Sequence, residues 1–63
     1  MKRSALEKYL RGHGAQFVRH GRGHDKWAST HGASVIPRHR DVAPTVVRAI
    51  CEQLGVPAPP NPN

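Results

Sequence analysis

Two short apolar stripes at helical spacing, one near each end of the chain, constrain its fold most. Ala5, Leu6, Tyr9 and Leu10 recur at i, i+1, i+4 and i+5, and Val46, Val47, Ile50, Cys51 and Leu54 repeat at similar intervals. Neither stripe can bury itself, so both need a common surface, and only the stretch between them can supply it. With 63 residues there is room for one small domain. A chain of this length buries only about 60% of the surface its unfolded form exposes. Its core is therefore small, which argues against a deep, enclosed pocket for a small molecule.

The intervening stretch reads as sheet. Residues 15–20 mix aromatic and β-branched side chains, run into Gly21-Arg22-Gly23, and continue as a second strand over 24–29, which together predict a hairpin. Thr30-His31-Gly32 is a second turn, and Ser34-Val35-Ile36 a third strand that Pro37 ends or pushes to an edge, because proline has no donor for the ladder. Ahead of the sheet, Ser4-Ala5-Leu6-Glu7 fits a capping box and predicts a helix over about 5–11, stopped by Gly12 or Gly14. Behind it, Pro44 suits the first turn of a helix that runs to Leu54 and is capped by Gly55. The expected architecture is α+β, in the order α-β-β-β-α, with a three-stranded antiparallel sheet packed on two helices. It occupies residues 1–56; residues 57–63 contain four prolines and are expected to form an extended, mostly disordered tail.

Ten Lys and Arg against four Asp and Glu give a formal charge of +6 and a pI near 10.9, the footprint of a polyanionic partner, with nucleic acid as the first candidate. Apolar runs are two or three residues long, far below the roughly 20 of a membrane span, and Met1-Lys2-Arg3 leads into a polar segment. The expectation is a soluble protein without a signal peptide. One cysteine, Cys51, forms no internal disulfide; it falls in the second apolar stripe as a small core residue, and a reducing cytoplasm is the expected compartment.

Alternation along the second strand puts His24 and Lys26 on one face and Asp25 and Trp27 on the other. A lone tryptophan in a small domain packs under the helices, which sends His24 and Lys26 to the open side with Arg22 close in sequence. An imidazole among cations suits a general base. RNA carries its own nucleophile, the 2′-hydroxyl, so its cleavage needs only removal of that proton, stabilisation of charge on the phosphoryl oxygens and a proton for the leaving oxygen. Metal-dependent cleavage needs converging carboxylates, and Glu7, Asp25, Asp41 and Glu52 are scattered, so no metal cofactor is expected. Taken alone, a histidine after a glycine turn is most often a plain surface residue, and so are His13, His20, His31 and His39. His20 and His24 straddle the glycine turn, and with one cysteine they complete no zinc tetrad. The run Arg38-His39-Arg40 commonly marks a solvated loop, but here it lies between strand and helix where a phosphate chain can meet it.

Several segments, in order, resemble the HicA family of bacterial toxin–antitoxin modules, the YcfA-like mRNA interferases. They are Gly12 or Gly14 closing the first helix, Phe17-Val18-Arg19, the run from Gly21 to Trp27, Val35-Ile36-Pro37-Arg38-His39-Arg40-Asp41, and the closing helix from Pro44 to Leu54 followed by Gly55-Val56. The resemblance implies a double-stranded-RNA-binding-domain-like fold and ribonuclease activity on mRNA that arrests translation, with His24 as the catalytic residue. It also implies a HicB antitoxin partner, acidic or neutral, that covers the site and carries the DNA-binding module, so that contact with DNA is indirect. On this reading Arg19, Arg22, Lys26, Arg38 and Arg40 hold the phosphates. The alternatives are a non-catalytic RNA-binding module of the same topology and a protein whose charge only attracts an acidic partner. Against the first stands a second helix that opens Ala43-Pro44-Thr45, without the lysine cluster with which such modules grip duplex phosphates.

Overall fold

The computed structural model describes residues 1–60 and contains α1 Arg3–Gly12, β1 Gln16–His20, β2 His24–Ser29, β3 Gly32–Pro37 and α2 Pro44–Leu54. The order is the expected α-β-β-β-α, and the sheet is antiparallel in the order β1-β2-β3. Leu6 and Leu10 of α1, Trp27 and Ile36 of the sheet, and Val47, Ile50, Cys51 and Leu54 of α2 form one buried cluster. Each apolar stripe thus finds the shared surface it needs.

The start of α1 departs from expectation. The helix begins at Arg3, with Lys2 as N-cap and no side-chain capping bond, so the capping box at Ser4 does not form. A distant segment sets this boundary. The Met1 ammonium donates to the Val42 carbonyl at 3.0 Å, the Val42 amide donates to Met1 at 2.7 Å, and the Arg3 amide donates to Arg40 at 2.9 Å. This pairing supplies a backbone acceptor at the helix start and carries the helix two residues further upstream. Glu7 turns to Arg3 instead, at 3.6 Å.

β3 is longer than expected because its pairing with β2 runs from Ser29↔Gly32 to His24↔Pro37. Pro37 ends an edge strand, as its missing donor requires. α2 has the expected limits, with Pro44 in its first turn and Gly55 left-handed at φ 67°. The Val56 amide returns to the Cys51 carbonyl at 2.9 Å, closing the C-terminus in the usual glycine-capped way. Ser29 Oγ donates to the Leu54 carbonyl at 2.6 Å and Ser34 Oγ to Gln53 Oε1 at 2.5 Å, locking the end of α2 onto the sheet. At Gly32 the approach is so close that a Cβ would lie 2.5 Å from the Gln53 carbonyl oxygen. Beyond α2, residues 57–60 form neither helix nor strand, and the Tyr9 hydroxyl donates to the Pro57 carbonyl. The remainder of the proline-rich segment, 61–63, lies outside the described residues.

Candidate functional site

One face of the sheet is covered and the other open. Asp25, Trp27, Ser34 and Ile36 point to the covered face, whereas His24 is exposed, Lys26 half-buried, and Val35, paired with Lys26, 53% exposed. The alternation expected along β2 is therefore present. In β1 the register shifts: Phe17 pairs with Trp27, but Arg19 pairs with Lys26 and His20 with Asp25. Paired residues share a face. Strict alternation from Phe17 would send Arg19 under the helices, and the extra residue of this bulge delivers it to the open face beside Lys26 instead. It also turns His20 toward Asp25.

At the mouth of the Gly21–Gly23 turn, His24 Nδ1 lies 3.2 Å from the Arg22 carbonyl oxygen. A carbonyl can only accept, so Nδ1 carries the proton, and in the neutral ring Nε2 is left as a lone-pair acceptor. The open face thus holds an oriented imidazole with Lys26 two residues along the same strand, Arg19 across from Lys26, and exposed Arg22 in the turn. Arg38 and Arg40 take other positions. Arg38 Nε donates to Asp25 Oδ1 at 3.0 Å, and its Nη2 donates to the carbonyls of Gly21 and His24. Arg40 is exposed, with its carbonyl tied to the Arg3 amide.

Asp25 is the hub of this arrangement, a role that no motif in the sequence marks. Its carboxylate accepts from His20 Nδ1 at 2.8 Å as well as from Arg38. Its one signal is alternation, which places Asp25 on Trp27's side, where a carboxylate on a covered face requires partners. Hydrogen bonding from His20, with that from Arg38 added, holds the Asp25 carboxyl below its ordinary value of 3.8 against the opposing effect of burial. A carboxyl lowered on folding contributes stability that is fully present above its unfolded value and is lost as pH falls through the folded one. Acid unfolding should therefore steepen below about pH 4, and Asp25→Asn should be weaker at neutral pH and flatter across that acid range. Chemical unfolding at a series of pH values checks this; parallel curves for the two proteins would refute it.

The other histidines lie elsewhere: His13 stacks on Tyr9 with ring centroids 4.4 Å apart, His31 abuts Gly55, and His39 is exposed in the loop before α2. Among the described residues, no three His, Cys, Asp or Glu side chains converge in a group able to hold a metal ion, and no helix is long and apolar enough to cross a membrane.

Comparison with known proteins adds one finding. A family model described as the HicA toxin of bacterial toxin–antitoxin matches residues 3–56, which is most of the chain. No curated protein and no solved structure matches it.

Proposed function

The chain belongs to the HicA toxin family of bacterial toxin–antitoxin systems, and from that premise we propose that it is a metal-independent endoribonuclease that cleaves mRNA and arrests translation, with His24 as its catalytic residue. The observation that carries this reading is the His24 ring, exposed on the open face and oriented by the Arg22 carbonyl so that Nε2 is the free acceptor. Nε2 takes the proton of a ribose 2′-hydroxyl, whose oxygen attacks the adjacent phosphorus. The bond from phosphorus to the 5′ oxygen breaks, leaving a 2′,3′-cyclic phosphate on one fragment and, once that oxygen is protonated, a 5′-hydroxyl on the other. Arg19, Arg22 and Lys26 neutralise charge that builds on the phosphoryl oxygens. No metal is required by this chemistry, and the carboxylates support that reading, since Glu7 faces Arg3 while Asp25 is engaged by His20 and Arg38.

Membership implies an antitoxin partner. In this reading the partner is of the HicB type, works in the cytoplasm, covers the open face with its cations and exposed Val35, and makes the complex's contact with DNA.

The test is incubation of the purified protein with a long single-stranded RNA in excess EDTA, followed on a denaturing gel. Fragments are expected, and none should appear with His24→Ala over the time in which the unsubstituted protein digests its substrate. Retarded but intact RNA with both proteins would instead identify a non-catalytic RNA-binding module.

Arg38 enters this reading as a positioning residue. One guanidinium joins the Asp25 carboxylate to the carbonyls at both ends of the His24 turn, a fork that the single ammonium of lysine cannot reproduce. Arg38→Ala and Arg38→Lys should both lower kcat about 10- to 100-fold, in keeping with the cost of misplacing a catalytic group by about 1 Å, with a smaller change in KM. A rise in KM at constant kcat would show that Arg38 only binds phosphate.

A further inference from the structure

Away from the open face, Lys2, Arg3, Ser4, Arg38 and Arg40 line a cleft of about 330 Å³. Four of these five residues are cationic and none is acidic. They come from two segments, the start of α1 and the loop between β3 and α2, which are stapled together by the backbone bonds of Met1 and Arg3, an antiparallel pairing centred on Lys2 and Asp41. The fold thus gathers these cations in one place, with Asp41 paired to Lys2 beside them, and their excess charge attracts an anion. Two of them are already engaged: Arg3 Nε lies 3.6 Å from Glu7, and Arg38 Nε bonds Asp25. Lys2 and Arg40 make no ion pair among the described residues, and both are exposed.

We propose that this cleft is a second phosphate site, which holds the backbone of a single-stranded RNA next to the nucleotide being cut. The proposal rests on RNA being the substrate. Its link to the cleavage site is Arg38, whose guanidinium bonds the carbonyls of Gly21 and His24 while its side chain forms one wall of the cleft. A strand that presents its scissile phosphate to His24 can continue past Arg38, so that a neighbouring phosphate meets Lys2 and Arg40 while the Ser4 hydroxyl offers a neutral donor. The cleft would then set the strand's direction on the protein, while the cations around His24 act on the reacting group.

The test is binding of a 2′-O-methyl RNA oligonucleotide, which lacks the nucleophile and is not cleaved, as a function of salt. For single strands the slope of log K against log salt is about −0.7 per phosphate neutralised. Lys2→Ala/Arg40→Ala should weaken binding at low salt and flatten the slope by about 0.7, the loss of one phosphate contact. A control pair of equal charge change outside the cleft, Lys8→Ala/Arg48→Ala, should leave the slope close to that of the unsubstituted protein. Lys2, Arg40, Lys8 and Arg48 are all exposed, so both pairs should keep the parent's thermal unfolding midpoint. As a second variant, Arg40→Glu should weaken binding further. Equal flattening by both pairs, which would mark diffuse attraction of RNA to the whole surface, or no flattening by the cleft pair overturns the site. Because the oligonucleotide is not cut, loss of the cleft site is distinguishable from failure of the ribonuclease reading, which shows as intact RNA in the cleavage assay.

Discussion

His24→Ala is expected to slow RNA cleavage by a factor of about 10² to 10⁴, the usual contribution of a positioned general base, and to abolish toxicity in cells. The same substitution should leave folding and antitoxin binding intact, because the side chain is exposed at the start of β2 and contributes nothing to the buried cluster. His24→Asn separates orientation from chemistry. Its amide can still donate toward the Arg22 carbonyl, yet it has no basic nitrogen, so it should be as slow as alanine. Single-turnover cleavage, growth arrest on induction and co-purification with the antitoxin measure the three consequences. A His24→Ala protein that cleaves RNA at the parent's rate would remove His24 from the chemistry and leave its exposure as that of an ordinary surface residue.

The parts of this site that the sequence discloses are those that local rules decide. Pro44 and Gly55 bracket α2 because one fits only a first turn and the other supplies the left-handed cap, and α2 has the limits they indicate. Period-2 alternation along β2 separates His24 and Lys26 from Asp25 and Trp27 for the same reason: it is a property of one strand. What stays hidden depends on a second segment. α1 starts at Arg3 because of bonds to residues some 40 positions away, against a capping box that is locally sound. The bulge that brings Arg19 beside Lys26 is a matter of register between two strands, and nothing in Phe17-Val18-Arg19 marks it. Arg38 reads as one more loop cation until the fold brings it against Asp25, 13 residues earlier in the chain. Of the five cations expected to meet phosphate, the structure thus gathers Arg19, Arg22 and Lys26 on the open face with His24, sets Arg40 along the cleft, and places Arg38 between the two, bonded to the His24 carbonyl and lining the cleft.

The largest effect on stability should come from Trp27→Ala. Trp27 is 1% exposed at the centre of the sheet, with Phe17 edge-on at 6.2 Å between ring centroids and the Arg11 guanidinium 5.0 Å above its ring. Truncating a buried tryptophan costs about 3–5 kcal/mol, and the core of a domain this small supplies about the same. Trp27→Ala should therefore be largely unfolded at 25 °C, losing RNA and antitoxin binding together, since β2 carries both Trp27 and His24. Trp27→Phe should behave differently. The indole Nε1 is buried without a hydrogen-bond partner, and an unmet buried donor costs about 1–3 kcal/mol, so removing it offsets part of the volume lost and the variant should remain folded. Because Trp27 is the chain's one tryptophan, its own fluorescence cannot report on either variant, and far-UV circular dichroism in urea is the suitable measurement. A cooperative transition for Trp27→Ala at the parent's midpoint would mean that the helices do not depend on this ring for their shared surface, and that the aliphatic residues around it hold the sheet without it.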